Sequence, residues 1–429
     1  MSELAILGGK PVRNKPFAPW PQYLPADVDR VRQVIESRHW GGYPMPSRHA
    51  AEFAERFAAM HGAKYGLCVA NGTIALIAAL NAAGIRFGDE VIVPAYTWDG
   101  TATAVLFAGG VPVFADVDPN TYCLTAETAR RVLTPRTRAI LPVHLAMRFA
   151  DMDGLLDLAR KHDLKIVEDC AHAHGGSYRG RGAGSMGDVG CFSLQESKLM
   201  TSGEGGIVIT SDLKMFEHLQ SQTNCGRASM TDHFDQHVLG SNYRLTDLQA
   251  ALLIGQLDMW PALAAKRDAA AARLSTALAT IPGVRPLPSQ PQITQSAIYC
   301  YVFRYLRKEV SRDLFAAALE AEGIPCDGRF YEPVYRSDLF HATPETCPQL
   351  KKDYSDVRCP VSERAAYEEA LWLPQFLLIG EPGDVDDIVA GVEKVLRNFD
   401  DLAKADPSLA GLKAMSRAER PKHQRAQNY

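Results

Sequence analysis

The sequence lacks closely spaced cysteines, a strong excess of either charge and any long apolar run. Nine cysteines are spread over 429 residues without a C-x-x-C pair, which argues against a disulfide framework and against a zinc site. The formal net charge of -4 provides no basic surface for nucleic acid or an anionic membrane. No apolar run is long enough to cross a bilayer. We therefore expect no metal, no nucleic acid and no membrane among its partners.

What is present is the composition of an ordinary globular protein. Hydrophobic residues make up 46% of the chain and charged residues 22%, values typical of a folded domain. A chain of this length exceeds the usual size of one hydrophobic core, so we expect two packed domains. Residues 1–17 contain no basic segment followed by a continuous apolar stretch, as a secretory signal would. This favours a cytoplasmic protein.

The first two-thirds of the chain alternates short β-branched runs with longer helical patterns. This alternation is typical of an α/β fold with a mostly parallel central sheet and helices on both faces. Seven strands are predicted, at 65–70, 90–94, 111–117, 137–143, 165–168, 189–194 and 206–210. The helices predicted between them lie at 73–84, 97–109, 153–162 and 213–220.

Beyond residue 260 the pattern changes and predicts a smaller C-terminal α+β domain. An Ala-rich helix is predicted over 262–279, an alternating strand over 297–305, and further helices over 311–322 and 382–398. We divide the chain into a large domain at 1–260 that opens with an arm at 1–25, a small domain at 261–416, and a loosely ordered tail at 417–429.

An acidic pair, Glu168-Asp169, follows an apolar strand. The carboxyl ends of strands in an open sheet are where ligands usually bind. A carboxylate at Asp169 needs a partner there. One partner is the protonated nitrogen of a pyridine ring, whose charge lets the ring accept electrons. The other is the start of a following helix, which Asp commonly caps, and this segment alone favours the cap.

Lys198 lies between a strand that ends near Ser193 and a glycine-rich turn, in the run Ser-Leu-Gln-Glu-Ser-Lys-Leu-Met-Thr-Ser-Gly-Glu-Gly-Gly. A desolvated lysine amine loses its proton and can attack an aldehyde to form a Schiff base. A lone lysine in such a loop is more often a solvated surface residue. Its combination with Asp169 favours the functional interpretation.

Two further segments fit a phosphate group and a flat ring. Asn71-Gly-Thr73 follows a strand and opens a helix, where backbone donors form an anion site that Gly72 leaves accessible and the Thr73 hydroxyl completes. The same tripeptide is also an ordinary turn and cap. Trp98 follows the next strand, and its ring either stacks on a cofactor or belongs to the core.

These segments, in this order, resemble the sugar and cyclitol aminotransferases of the DegT/StrS type, a family of fold type I pyridoxal-phosphate enzymes. The resemblance covers nearly the whole chain, and its most specific part is the S-x-x-x-x-K-x-x-x-x-G-E-G-G arrangement that starts at Ser193. It implies pyridoxal 5'-phosphate as cofactor. It also implies transfer of an amino group from L-glutamine or L-glutamate to a keto-sugar or keto-cyclitol.

The resemblance further implies a role for each site residue. Lys198 would form the Schiff base and carry protons, and Asp169 would pair with the pyridine nitrogen. Trp98 would stack on the ring, and His172 would lie near the ring hydroxyl. The phosphate would be held by Gly72, Thr73 and Ser193, together with Asn242 of the partner subunit. That last contact implies a homodimer with shared active sites.

Two branches of the family are nearest in pattern. Residues 171–175 and 198–206 resemble the 3-amino-5-hydroxybenzoate synthase branch, while residues 8–11 and 359–364 resemble the glutamine-dependent scyllo-inosose aminotransferases. The loop that contains Met147 and Arg148 departs from the glycine-bearing tripeptide of the nucleotide-sugar branch. Arg227 and Arg244 are candidates to bind the donor carboxylate.

Three alternatives stay open at this point. The enzyme could also dehydrate and aromatise its product, or it could act on a nucleotide-linked keto-sugar. A regulatory protein could keep the fold and the cofactor without turnover. Lysine at position 198 disfavours simple sugar dehydration, because the relatives that catalyse it carry histidine there.

Overall fold

The computed structural model describes residues 3–43, 47–227 and 238–409, and the predicted tail at 417–429 lies outside them. In chain order, the elements of the first part are α1 (Pro25–Ser37), α2 (Arg48–Met60), β1 (Tyr65–Val69), α3 (Gly72–Ala82), β2 (Glu90–Pro94), α4 (Asp99–Phe107), β3 (Val111–Ala115), α5 (Ala126–Arg130), β4 (Thr137–Ile140), α6 (Met152–His162), β5 (Lys165–Asp169), β6 (Ser177–Tyr178), β7 (Arg181–Gly182), β8 (Val189–Ser193), β9 (Gly206–Thr210) and α7 (Leu213–Thr223).

The elements of the second part are α8 (Asp247–Leu278), β10 (Val284–Pro286), β11 (Ile293–Gln295), β12 (Cys300–Tyr305), α9 (Arg312–Ala321), α10 (Pro360–Arg364), β13 (Ala370–Pro374), α11 (Pro382–Arg397) and α12 (Phe399–Leu409). Among the helices of the described ranges, none has both the length and the apolar character needed to span a membrane.

Seven strands form the central sheet in the order β1-β9-β8-β5-β4-β2-β3. Every pair from β8 to β3 is parallel, and β9 runs against both of its neighbours. Strands β2 and β9 bury all five of their residues, as expected for a sheet that is covered on both faces. The predicted α/β fold with a mostly parallel sheet is confirmed.

The parallel order of the sheet brings the candidate segments together. Strands β1, β2, β5 and β8 all point the same way, so their carboxyl ends meet at one edge. Asp169 and Ser193 are the last residues of β5 and β8, Asn71 caps α3 just after β1, and Trp98 caps α4 just after β2. Segments that are far apart in the chain therefore lie around a common space.

The second part of the chain has its own antiparallel sheet, β10-β12-β13. Helix α9 contacts β13, and α11 packs on α9. A third, small sheet has the order β11-β6-β7. In it, β11 of the second part pairs with β6 of the first part. Backbone hydrogen bonds therefore connect the two parts directly.

Helix α8 begins at Asp247 and continues to Leu278, so the helix predicted over 262–279 was wrong at its start. A proline inside a helical pattern usually ends the helix, but Pro261 lies within α8. Buried residues on both sides of the proline, Leu257 and Ala264, hold the helix against the rest of the protein. The boundary predicted at residue 260 falls inside α8, and the division into two domains stays a prediction.

Replacing Pro261 with Ala should stabilise the protein. Pro261 is exposed, and a proline in a helix interior costs about 3 kcal/mol relative to alanine because it lacks the backbone N–H and its ring meets the preceding turn. We expect an increase of about 1–3 kcal/mol in the free energy of unfolding, measured by urea titration. The matched control is the exposed neighbour Ala262→Gly, which should lose about 1 kcal/mol. A less stable P261A variant would mean that the packing of α8 requires the proline.

Candidate active site

A cavity of about 1540 Å³ lies at the carboxyl edge of the central sheet and is lined by both parts of the chain. Seven of the eight predicted site residues line it: Gly72, Thr73, Trp98, Asp169, His172, Ser193 and Lys198. The eighth, Asn242, is exposed and is not part of the lining. Its Oδ1 accepts a hydrogen bond from the Arg244 N–H at 3.4 Å. Its predicted contact with the cofactor of a partner subunit stays a prediction.

Asp169 is a buried carboxylate with two hydrogen-bond donors. It is 5% exposed. Thr101 Oγ1 donates to Oδ2 at 2.9 Å, and the Ala171 N–H donates to Oδ1 at 3.1 Å. Burial raises the pKa of the Asp169 carboxyl, although these hydrogen bonds and the charge of Lys198 act in the opposite direction. A cation beside Asp169 would offset the cost of its burial.

The segment after Asp169 forms turns rather than a helix over 170–176. The alternative in which Asp169 caps a following helix is therefore wrong. Asp169 accepts a hydrogen bond from the N–H of Ala171, two residues further along the chain. This is the local pattern of an Asx turn. This turn orients one carboxylate oxygen, while Thr101 holds the other.

The neighbouring carboxylate, Glu168, is completely buried and has a different environment. Its Oε2 accepts hydrogen bonds from His144 Nε2 and the Gly184 N–H, both at 2.9 Å. Its Oε1 accepts from the N–H groups of Met186 and Gly187 at 2.8 and 2.6 Å. His144, Glu168 and Cys170 each have one atom that could bind a metal ion, and these three atoms lie within 4.8 Å of one another. Because these donors already occupy both Glu168 oxygens, we assign Glu168 a structural role.

Lys198 is half-buried and lines the cavity. Its N–H donates to the Gln195 carbonyl at 2.9 Å, and the loop around it is closed by the Ser202 N–H, which donates to the Leu194 carbonyl at 3.1 Å. Its Nζ lies 4.4 Å from the centroid of the Tyr299 ring. The lysine is thus held at the cavity and is not a solvated surface residue.

The start of helix α3 has the geometry to hold an anion. Asn71 Oδ1 accepts the Ile74 N–H at 2.9 Å, which leaves the first N–H groups, those of Gly72 and Thr73, without a partner inside the helix. A Cβ on Gly72 would lie 2.7 Å from the Ser193 Cβ. Glycine is therefore required where the backbone of α3 passes the end of β8. The bare donors and the Ser193 and Thr73 hydroxyls suit a phosphate group.

His172 is buried and electrically neutral. Burial lowers the pKa of its imidazole well below the usual value, and the charge of Lys198 lowers it further. Its Nδ1 accepts the Ala146 N–H at 3.2 Å, so the proton of the neutral ring lies on Nε2. Nε2 in turn contacts the Tyr331 hydroxyl at 3.2 Å. His172 thus presents a hydrogen-bond donor beside the cavity.

Trp98 is 51% exposed and therefore does not belong to the core. It lines the cavity, and its ring centroid lies 6.3 Å from that of Tyr331. A planar ring that faces open space at the edge of a sheet can stack on a flat ligand. The geometry therefore fits the interpretation of Trp98 as a stacking residue.

Among the cavity residues that were not predicted, three contact predicted site residues: Thr101, Tyr299 and Tyr331. Thr101 lies one turn after Thr97 and contacts its hydroxyl at 3.1 Å, so the paired threonines were a weak signal. Tyr299 lies in the predicted alternating strand, but nothing in the sequence indicated that it faces Lys198. Tyr331 lies in a loop without any pattern.

These residues fit pyridoxal phosphate. The buried Asp169 suits a cationic pyridine nitrogen, the crowded glycine at the start of α3 suits a phosphate, and the Lys198 amine faces the same cavity. Together with the mostly parallel sheet, they define the class: a pyridoxal-phosphate-dependent transferase of fold type I. The reacting groups come from different elements, which the carboxyl edge of the sheet brings together.

Comparison with known proteins narrows the class to one family. The sequence profile of the DegT/DnrJ/EryC1/StrS aminotransferase family matches residues 25–393. The chain belongs to this family and is a pyridoxal-phosphate-dependent aminotransferase. The resemblance described from the sequence is thereby confirmed.

Several relatives match over almost their whole length. A protein of Streptoalloteichus tenebrarius, named provisionally as an L-glutamine:3-amino-2,3-dideoxy-scyllo-inosose aminotransferase, is 45% identical over 94% of this chain and 99% of its own. A Streptomyces fradiae protein named L-glutamine:2-deoxy-scyllo-inosose aminotransferase is 37% identical over 94% of this chain and 100% of its own. The crystal structure of 3-amino-5-hydroxybenzoic acid synthase covers 90% of this chain and 100% of its own, with a TM-score of 0.81 and 31% identity.

Replacing Asp169 with Asn should stabilise the protein when the cofactor has been removed. Burial raises the pKa of Asp169 in the folded protein above 3.8. The wild type should therefore lose stability as the pH rises from about 4 through this raised pKa. At still higher pH the stability should not fall further through this group. An asparagine side chain cannot ionise, so this loss should disappear in the variant. Melting temperatures between about pH 4 and pH 8 test this, with the exposed Asp157→Asn as control. A D169N variant that is less stable at every pH would contradict the prediction.

Replacing Gly72 with Ala should weaken cofactor binding. The added methyl group would lie 2.7 Å from the Ser193 Cβ, and overpacking of this kind costs about 1–3 kcal/mol. We expect the Kd for pyridoxal phosphate, measured by fluorescence titration, to rise roughly tenfold or more. Gly383→Ala is the matched control, since nothing lies within 4 Å of its Cβ position. Equal affinity in G72A and wild type would place the phosphate elsewhere.

Proposed function

We propose that this enzyme transfers the amino group of L-glutamine to a keto-cyclitol that already carries an amino group. Relatives named for an amino-bearing scyllo-inosose are 42–45% identical. Relatives named for 2-deoxy-scyllo-inosose, a name that mentions no amino group, are 34–37% identical. The chain is thus more similar to the first group.

The observation that carries this proposal is the charge of the cavity. Asp169 is set aside here because its charge would be balanced by the pyridine nitrogen of the cofactor, and Asp99 because burial raises its pKa and favours its neutral form. The remaining acidic residues of the lining outnumber its two cations, Lys198 and Arg329, by six to two. These six are Glu204, Asp313, Glu320, Asp327, Glu332 and Asp338.

Ion pairs with arginine offset part of this negative charge. Arg312 pairs with Asp313 at 2.8 Å. Arg329 pairs with Asp313 at 3.0 Å and lies 3.5 Å from Glu332, so its charge is shared between two carboxylates. Lys198 is committed to the cofactor in the bound enzyme. A substrate ammonium group would be attracted by lining carboxylates such as Glu204, Glu332 and Asp338, whereas the diphosphate of a nucleotide sugar would be repelled. The cavity therefore disfavours the nucleotide-linked alternative.

When bound, pyridoxal phosphate supplies an electron sink for the negative charge left when a proton leaves the donor's α-carbon. Lys198 would hold the cofactor covalently. When free, its Nζ would accept the α-proton of the donor and supply a proton in return. Asp169, oriented by Thr101 and the Ala171 N–H, would keep the pyridine nitrogen protonated.

The remaining parts of the site hold the ligands in place. Gly72 and Thr73 would bind the phosphate through the start of α3, and Trp98 would stack on the ring. Arg227 and Arg244 both lie over the Tyr43 ring, at 4.8 and 5.7 Å from its centroid, and outside the cavity lining of their own chain.

A homodimer would let this arginine pair reach the cavity of a second subunit. The proposed contact of Asn242 with the phosphate has the same requirement, since Asn242 lies outside the lining of its own chain. We therefore propose a dimer with shared active sites and a donor carboxylate bound by one of these arginines.

The substrate is tested by comparing three ketones with L-glutamine as donor: 3-amino-2,3-dideoxy-scyllo-inosose, 2-deoxy-scyllo-inosose and a nucleotide-linked 4-keto-sugar. We expect kcat/KM to be roughly tenfold higher with the amino-bearing ketone than with the neutral one, as one favourable charge contact would give. Products are identified by mass, which also reveals any loss of water by dehydration. Faster turnover of the nucleotide sugar would contradict the substrate class but leave the aminotransferase chemistry intact.

Two variants serve as controls for this comparison. Lys198→Ala should lower turnover of every ketone by a factor on the order of 10³ or more, since it removes both the covalent link and the proton carrier. Glu332→Gln should narrow the preference for the amino-bearing ketone, while Glu368→Gln, an exposed residue outside the lining, should not. Normal turnover in K198A, or none in the wild type with any ketone and donor, would contradict the proposed function.

A further inference from the structure

Tyr299 belongs to the second part of the chain, yet it lies against the proposed catalytic lysine. The Lys198 Nζ is 4.4 Å from the centroid of the Tyr299 ring, and both residues line the cavity. An ammonium group within about 6 Å of an aromatic centroid is attracted by the electron-rich face of the ring. The tyrosine is only 4% exposed, so water screens this attraction weakly.

Hydrogen bonds hold the Tyr299 ring in this position. Ser197 Oγ gives its only proton to Gln195 Oε1 at 2.7 Å, so in its 2.8 Å contact with the Tyr299 hydroxyl it must be the acceptor. The Tyr299 N–H donates to the Ala146 carbonyl at 2.9 Å. The phenol and the backbone are therefore both fixed, and the phenol is tied to the residue directly before Lys198.

His172 stacks on Tyr299 but does not compete with the Lys198 ammonium group for the electron-rich ring. The two ring centroids are 4.0 Å apart, and the planes are inclined by 20°. His172 is held neutral by its burial, which lowers its pKa, and its Nδ1 accepts the Ala146 N–H. A neutral imidazole packs against the phenol but does not place a second positive charge on it. Lys198 therefore does not share the ring with a charged histidine.

We propose that Tyr299 is a positioning residue for Lys198, and that its ring stabilises the ammonium form of the lysine during turnover. This inference rests on the proposed function, in which Nζ takes the α-proton of the amino donor. In that step a C–H bond of the donor breaks, an N–H bond forms at Nζ, and the electron pair stays with the substrate. The positive charge gained by Nζ then lies against the face of Tyr299, which favours the product of the step.

The first test follows the Lys198 amine itself in full-length enzyme freed of cofactor. The rate at which Lys198 is acetylated by acetic anhydride is measured against pH by peptide mass spectrometry, because only the neutral amine reacts. Tyr299→Leu should move the midpoint of this curve to lower pH by roughly 0.5–1 unit, since it removes the aromatic face. Tyr299→Phe keeps the ring and should keep most of the wild-type midpoint.

The second test follows turnover in the enzyme loaded with cofactor. Tyr299→Leu should lower kcat roughly 5- to 30-fold with little change in the KM for the ketone, and Tyr299→Phe should lose less. Tyr301→Leu is the matched control, because Tyr301 is buried in the same segment and its hydroxyl contacts Ser275 at 2.8 Å. Circular dichroism confirms that each variant is folded.

The two tests separate failure of this inference from failure of the proposed function. An unchanged midpoint in folded Y299L would overturn the inference, even if kcat fell, because packing alone would then explain the loss. An equal shift in Y301L would overturn it as well. A shifted midpoint confined to Y299L supports the inference even if none of the tested ketones is a substrate.

Discussion

The burial of two adjacent carboxylates at the end of β5 is the constraint on which this site depends. Successive side chains of a strand point to opposite faces, so Glu168 and Asp169 meet different surroundings. Glu168 receives three backbone N–H groups and the His144 ring, which satisfies it inside the protein. Asp169 receives two donors and faces the cavity. Only the second carboxylate still gains from a cationic ligand, and that difference defines the cofactor site.

The loop around Ala146 connects this site to the second part of the chain. Ala146 has a φ of 58°, a conformation that costs a non-glycine residue roughly 1–2 kcal/mol. Its N–H donates to His172 and its carbonyl accepts from Tyr299. Such strain persists where the surroundings determine the backbone, and it is common near functional sites. The same loop departs from the pattern of the nucleotide-sugar branch, which agrees with the proposed substrate class.

Residues whose role depends on local sequence could be predicted, and those that depend on distant contacts could not. Lys198 and Gly72 each follow a strand at a short, characteristic spacing, and that spacing places them at the cavity in the fold. Tyr299 lies beside Lys198 because a backbone hydrogen bond from its N–H to the Ala146 carbonyl holds the start of β12 against the first part of the chain. The predicted start of α8 was wrong because it, too, depends on distant contacts. Burial of residues on both sides of Pro261 outweighs the local preference of proline to end a helix.

The sequence by itself determined the class of fold, the cofactor and the candidate residues for binding it, because strand ends, glycine turns and the lysine run are short patterns with a direct physical meaning. The tertiary structure alone decided that Asp169 caps no helix and that Asn242 lies outside the cavity of its own chain. It also decided that acidic side chains of the second part line the cavity. The physical reason is that burial, electrostatic potential and ring contacts arise between segments that are remote in the chain, and their distance in space is set only when the whole protein has packed.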